Sequence, residues 1–371
     1  MDKKFTIEAK YLRNIVLFNP EVGHDDLSNA ESSIFIKVAN SVLTFEILSF
    51  RYLLTGNEEV QSNENMQIIL PLKRLQDIIK SFSDNTKITF KEENEKTVSL
   101  EADGIKFKIK TCEQEGRNQI GDDKGEEYEI NRDELLDGIK KVRIAMGDDE
   151  VRYYLNGINI EIYKDTEGKY HTFMVATNGH ILATAGEKKD DYTLLQKAIM
   201  PKKVIPEIIK ILEKAEDKVL ISFSNNKMNL KTKNLEILLK LIEGDFPDYN
   251  KVIPYNSSKD IVINTNTLKD IVGKVSIVSN DKTKNIKMLI SSNNIDLEII
   301  SSDGNTANGN IKIDYSGDNL EIILNAKYLI DILSQISKEN VVFKIEDGIS
   351  PLLIKQENDE SLLFVLMPIR L

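Results

Sequence analysis

Cysteine occurs once in 371 residues, at Cys112, so no intramolecular disulfide can form and the chain suits a reducing cytoplasm. Nothing near Cys112 resembles an activating partner, and it reads as a small strand residue, not a catalytic thiol. Long apolar runs are missing too: none approaches the roughly 20 residues that span a bilayer. Residues 1–10 hold no apolar stretch of a secretory signal. There are three histidines, His24, His171 and His180; no third ligand follows the latter two at a recognisable metal-binding spacing. Glycine-rich phosphate cradles of the G-x-x-x-x-G-K-[ST] and G-x-G-x-x-G types are absent. Asp303-Gly304-Asn305 lacks the bidentate glutamate of a calcium loop and reads as a turn. Paired acids such as Asp148-Asp149 are too common in an acidic chain to mark acid–base catalysis. The expectation is a non-enzyme with no cofactor and no metal.

What is present is repetition, with a period of about 125 residues. Each third opens with a short strand running into an amphipathic helix, at 5–17, 128–144 and 261–278. Each contains a second such unit, at 68–82, 199–212 and 322–336, followed by a polar turn and β-type alternation. Lys106-Phe107-Lys108-Ile109-Lys110 is one alternating run, a strand with one wet face. A glycine-bounded polar joint at 121–125 and the interruption at 249–259, with Pro254, divide the repeats. The reading is α+β: three duplicated domains, 1–125, 126–252 and 253–371, each an antiparallel sheet with two helices on one face.

Net charge is −11, the opposite of what an open nucleic-acid-binding surface carries. The distribution of that charge points the other way. The helical windows 8–17, 71–81, 131–146, 201–214, 264–285 and 325–338 all come out positive, by one or two charges each. In the fourth, Ile205, Ile208, Ile209 and Leu212 fill one side at helical spacing, while Lys203, Lys210 and Lys214 fall on the other. Helices sharing one face would line it with lysine and leave acidic sheets outside. Such a surface gains affinity for phosphates by counterion release, without reading sequence. A closed ring with duplex DNA in its hole uses both properties, and head-to-tail interfaces close such rings.

Four stretches add a resemblance. In chain order they are Glu150-Val151-Arg152-Tyr153-Tyr154-Leu155-Asn156-Gly157; Val175-Ala176-Thr177-Asn178-Gly179-His180-Ile181-Leu182-Ala183; Asp245-Phe246-Pro247-Asp248-Tyr249; and Val365-Leu366-Met367-Pro368-Ile369-Arg370-Leu371. Their order and positions closely resemble the beta sliding clamp of bacterial DNA polymerase III, as do Ser279-Asn280-Asp281-Lys282 and Tyr315-Ser316-Gly317. The resemblance runs from about residue 126 to the end and implies a processivity factor, a head-to-tail homodimer forming a six-domain ring. It implies a hydrophobic groove for linear peptides of the polymerase, the clamp loader and repair proteins. Carried over by position, the groove walls would be Leu155, Thr177, Gly179, His180, Ile181 and Leu182, with Pro247, Val252, Val365 and Met367 opposite and Pro368 and Arg370 at the rim.

Positions that match DNA-contacting ones are Tyr153, Tyr154, Lys202 and Lys203; the helix faces add Lys10, Arg13, Lys73 and Lys210. Phe107 and Ile109 fall where the family places its dimer contact, opposite Ile277 and Val278. Two departures stand out. Asn178-Gly179-His180-Ile181 replaces the usual Asp-Gly-His-Arg, which predicts a less basic groove. Residues 24–33 replace the usual proline-containing segment of the first domain, and Leu48-Ser49-Phe50-Arg51 replaces its Thr-Asp-x-Glu. The absent nucleotide motif implies a separate ATP-driven loader. Two alternatives stay open here: a divergent clamp paralogue serving repair or regulation, and a DNA-modifying enzyme using His180.

Overall fold

A computed structural model describes residues 3–16, 33–49, 51–62, 64–112, 125–279 and 285–370. His24, Phe50, the joint at 121–124 and the match at 280–282 lie outside these residues.

The first third holds β1 (Lys4–Glu8), α1 (Ala9–Val16), β2 (Ser33–Ala39), β3 (Val42–Leu48), β4 (Tyr52–Glu59) and a two-residue β5 (Gln61–Ser62). It continues with β6 (Met66–Pro71), α2 (Leu72–Lys80), β7 (Lys87–Asn94), β8 (Thr97–Ala102) and β9 (Ile105–Lys110). The second holds β10 (Glu127–Asn131), α3 (Arg132–Val142), β11 (Gly157–Lys164), β12 (Tyr170–Thr177) and β13 (Ile181–Ala185). After these come β14 (Thr193–Pro201), α4 (Ile205–Leu212), β15 (Lys218–Ser224), β16 (Lys227–Lys231) and β17 (Leu235–Lys240). The third holds β18 (Lys259–Asn264), α5 (Thr265–Val275), β19 (Asn285–Ser291), β20 (Asn294–Ile300) and β21 (Thr306–Lys312). It closes with β22 (Leu320–Asn325), α6 (Ala326–Leu333), β23 (Asn340–Ile345), β24 (Leu352–Gln356) and β25 (Leu362–Leu366).

The repeat is therefore finer than it reads in sequence. Among the described residues a strand–helix–three-strand module recurs six times, and the modules work in pairs. Each opening strand leaves its own module and pairs with the sheet of its neighbour: β1 with β7 and β6 with β2, β10 with β15 and β14 with β11, β18 with β23 and β22 with β19. All these pairings are antiparallel.

The exchange shapes the two compact units into which the chain divides, 1–132 with 203–241, and 133–202 with 242–371. In the first unit lie the sheets β5-β1-β7-β8-β9 and β10-β15-β16-β17-β4-β3-β2-β6. Its helices α1 and α2 pack together, and Phe5 stacks on Phe90 at 4.6 Å within a core that includes Leu12, Ile15, Leu75 and Ile79. In the second unit lie β14-β11-β12-β13-β25-β24-β23-β18 and β21-β20-β19-β22. Here α5 packs on α6 and on β21, where a Cβ at Gly309 would stand 2.6 Å from Ile271, so only glycine lets helix and strand approach this closely.

Helix starts follow local chemistry. The Asn264 side chain accepts from Thr267 N at 3.0 Å, and that of Asn325 from Lys327 N and Tyr328 N at 3.0 and 3.2 Å. Helix α4 carries Pro206 in its first turn, where a missing N–H costs nothing, and buries Ile205, Ile208, Ile211 and Leu212. Two windows are shorter than they read in sequence. Lys202–Val204 is a 3-10 turn ahead of α4, and α5 ends at Val275 before a second 3-10 turn, Ser276–Val278.

Candidate functional site

Within the second unit, four stretches converge on an apolar groove of about 250 Å³. A larger hollow of about 500 Å³, lined by Glu187, Lys188, Lys189, Asp359 and Glu360 beside Phe173 and Leu363, is dominated by charge. The groove is the better candidate, because its lining is mostly apolar with a few placed polar groups.

The first wall is a loop braced from within. Asp149 accepts from the backbone N–H groups of Val151 and Arg152, both at 2.8 Å, and from Arg152 Nε at 2.9 Å. These bonds, led by the Arg152 backbone N–H, hold its carboxyl below the ordinary value. Asn156 closes the loop, donating to Asp149 O at 2.7 Å and accepting from Asp149 N at 2.8 Å. Leu155 is thereby presented buried, at 3% exposure, in the groove floor.

The second wall is the turn between β12 and β13. Asn178 Oδ1 accepts from His180 N at 2.9 Å and Ile181 N at 3.0 Å. An amide oxygen accepts both bonds here, as an aspartate oxygen could. Gly179 has φ +88°, the left-handed region, and a Cβ there would meet Arg152 Nη1 at 3.0 Å. Ile181 and Leu182 open β13, in register with Leu366 and Val365 of β25. Ile181 is 1% exposed, so the family's arginine position is taken by a buried apolar residue. The groove nonetheless keeps a cation, because the Arg152 guanidinium stands over Gly179.

The remaining walls are 246–252 and the strand β25 running into Met367. Phe246, Pro247 and Val252 face the groove, and a 3-10 turn, Tyr249–Val252, carries the last of these. Met367 N donates to His180 O at 2.9 Å, fixing the chain beyond β25 across the second wall. Pro368 and Arg370 stand outside the lining, half-buried and exposed. Every other expected groove residue lines it. Sequence reasoning missed Arg152, Phe246, Asp248 and Tyr249, although all lie inside the quoted motifs; Tyr154, expected to face DNA, lines the groove as well. Tyr153, 5.9 Å from it edge to face, is half exposed.

The expected DNA-facing cations come with local acids. Lys10 pairs with Glu8 at 2.7 Å, Lys73 with Asp77 at 3.1 Å, Lys202 with Asp148 at 3.5 Å and Lys210 with the buried Glu207 at 3.1 Å. Arg13 bonds Asp84 and the carbonyl of Phe82, and Lys203 lies exposed in the turn before α4. The residues expected at the dimer contact differ in exposure. Ile109 is 2% exposed; it shares one face of β9 with Ile105 and Phe107, a face that goes from exposed at Ile105 to half-buried at Phe107, beside Phe82, to buried at Ile109. Ile277 is 81% exposed and Val278 half-buried. Among the described residues no three His, Cys, Asp or Glu side chains are placed to hold a metal, and no helix is long and apolar enough to cross a membrane.

Paired modules with exchanged opening strands, and the groove beside β13 and β25, define a sliding clamp, the processivity-factor class of replication protein. Residues 129–248 match the central domain and 250–370 the C-terminal domain of the DNA polymerase III beta subunit. The beta sliding clamp of Haemophilus influenzae is 28% identical over 347 residues, covering 91% of this chain and 93% of that protein. That of Escherichia coli is 24% identical over 371 residues, covering 99% and 100%. The solved sliding clamp of Bartonella birtlesii, bound to griselimycin, superposes with a TM-score of 0.91 at 25% identity, covering all of both chains. The chain belongs to the DNA polymerase III beta subunit family.

Proposed function

We propose that this clamp works as a head-to-tail homodimer of three-domain chains, 1–125, 126–252 and 253–371, around duplex DNA. The groove from Leu155 to Met367 takes linear peptides of the polymerase's catalytic subunit, the clamp loader, and other polymerases and repair proteins. The observation that carries this reading is the groove itself, apolar and open, with the loop at 149–156, the turn at 178–181 and the chain at Met367 each held by hydrogen bonds. Lys10, Lys73, Lys202, Lys203 and Lys210 neutralise phosphates loosely. Four of these lysines already hold carboxylates, so phosphate must compete for them, which suits a ring that slides. Subunits meet through the unpaired edges of β9 and β21, each the last strand of its sheet, with Phe107 and Ile277 supplying apolar contact. The chain catalyses nothing and acts in the cytoplasm.

Two experiments test this. Clamp loaded on circular DNA should stay bound through moderate salt and be lost when the circle is cut; equal retention on linear DNA rejects encirclement. Labelled griselimycin should bind the chain, and Val252→Asp, at a half-exposed groove position the fold tolerates, should abolish binding. Unchanged binding by that variant rejects the groove.

A further inference from the structure

Behind the groove lies a buried acid with no part in lining it. Glu161, on β11, is 6% exposed in a core of Val175, Leu182, Ile253, Leu363 and Val365. A carboxylate in such a place is costly unless its oxygens are bonded. Three donors satisfy it: Asn159 Nδ2 at 3.1 Å, the Tyr163 hydroxyl at 2.6 Å, and the Tyr249 hydroxyl at 3.2 and 3.1 Å from its two oxygens. On the other side Lys188 Nζ donates to the Tyr249 oxygen at 3.2 Å. The same ammonium stands 5.5 Å from the ring centre of Tyr249, 5.6 Å from Phe173 and 5.7 Å from Tyr163. An ammonium, a phenol and a carboxylate thus form one chain through the core. Burial and the neighbouring Glu161 push both tyrosine hydroxyls up, so they remain protonated donors.

Tyr249 is where this chain of bonds reaches function. Its ring, stacked on Phe173 at 6.1 Å, lines the groove, and the turn it begins carries Val252. Residues 245–248 before it belong to no helix or strand, so no ladder sets their position. We infer that Glu161 is a positioning residue for peptide capture, holding the 245–252 wall of the groove in register through the Tyr249 hydroxyl. Apolar side chains of equal volume would satisfy packing alone. A hydrogen bond to a charge also sets the depth and rotation of the ring, which apolar contact leaves free. The proposal deepens the groove reading above and rests on it.

The test uses the full chain and labelled griselimycin, read by fluorescence anisotropy and by thermal unfolding. Glu161→Gln and Tyr249→Phe should each weaken binding by about three- to tenfold, and the double variant by no more than the worse single. Lys188→Met, at an exposed position that leaves folding intact, should weaken it in the same direction. Leu268→Ala, on the buried face of α5, should lower the unfolding temperature and leave affinity unchanged. Additive losses in the double variant, or unchanged affinity in Glu161→Gln and Lys188→Met, overturn the inference. Val252→Asp separates the two readings. If it fails to weaken binding, the groove assignment falls and takes this one with it. If it abolishes binding while the Glu161, Tyr249 and Lys188 variants do not move it, only the inference falls.

Discussion

Replacing Gly179 with alanine asks how much of the groove depends on one backbone angle. At φ +88° an L-residue is strained, by about 1–2 kcal/mol. For a cooperative unit the size of residues 133–202 with 242–371, that lowers the unfolding temperature by about 2–8 °C. The added Cβ would also stand 3.0 Å from Arg152 Nη1. The guanidinium ends a flexible side chain and can yield by a few tenths of an ångström, but yielding disturbs its 2.9 and 2.8 Å bonds to Asp149. Gly179→Ala should therefore lose both stability and affinity for griselimycin. Gly179→Asn separates the effects, because asparagine tolerates the left-handed region while carrying the same Cβ. It should recover most of the unfolding temperature and keep the affinity loss. Calorimetry and anisotropy on the two variants suffice, and equal unfolding temperatures for Gly179→Ala and the parent would refute the strain argument.

Two further outcomes follow from the edge strand β9 and the turn after α5. Lys106, then Ser99, holds the Glu93 carboxyl down to about 2 from 4.5. Because the folded value is the lower one, this pairing stabilises the fold above pH 4.5 and is lost as pH falls toward about 2. Glu93→Gln should flatten the fall in unfolding temperature across that window; curves that stay parallel to the parent's would show that the pairing contributes nothing. Ile277→Asp places a charge where an 81% exposed isoleucine stands. Sedimentation should move from a species of about twice 42.2 kDa to one of 42.2 kDa, and an intact dimer would place the contact elsewhere.

Much of the local structure was legible because its causes are local. Apolar spacing in Ile205–Leu212 marks a helix whatever surrounds it, and Asn264 and Asn325 cap helices with their own side chains. The groove motifs, Asn178-Gly179 among them, were legible by resemblance. The burial of Ile109 was not legible, because alternation puts Ile105, Phe107 and Ile109 on one face but does not say how far along the strand that face is covered.

The chain's own residues thus determined the helices, the turns, the repeat and the motif positions, since each depends on neighbours within a few places in sequence. Only the tertiary structure decided which strand joins which sheet: β1 pairs with β7 across some eighty positions, and no propensity encodes that choice. The same holds for the bond from Glu161 to Tyr249, 88 residues apart, where a buried charge and a distant hydroxyl meet because the sheet brings them together.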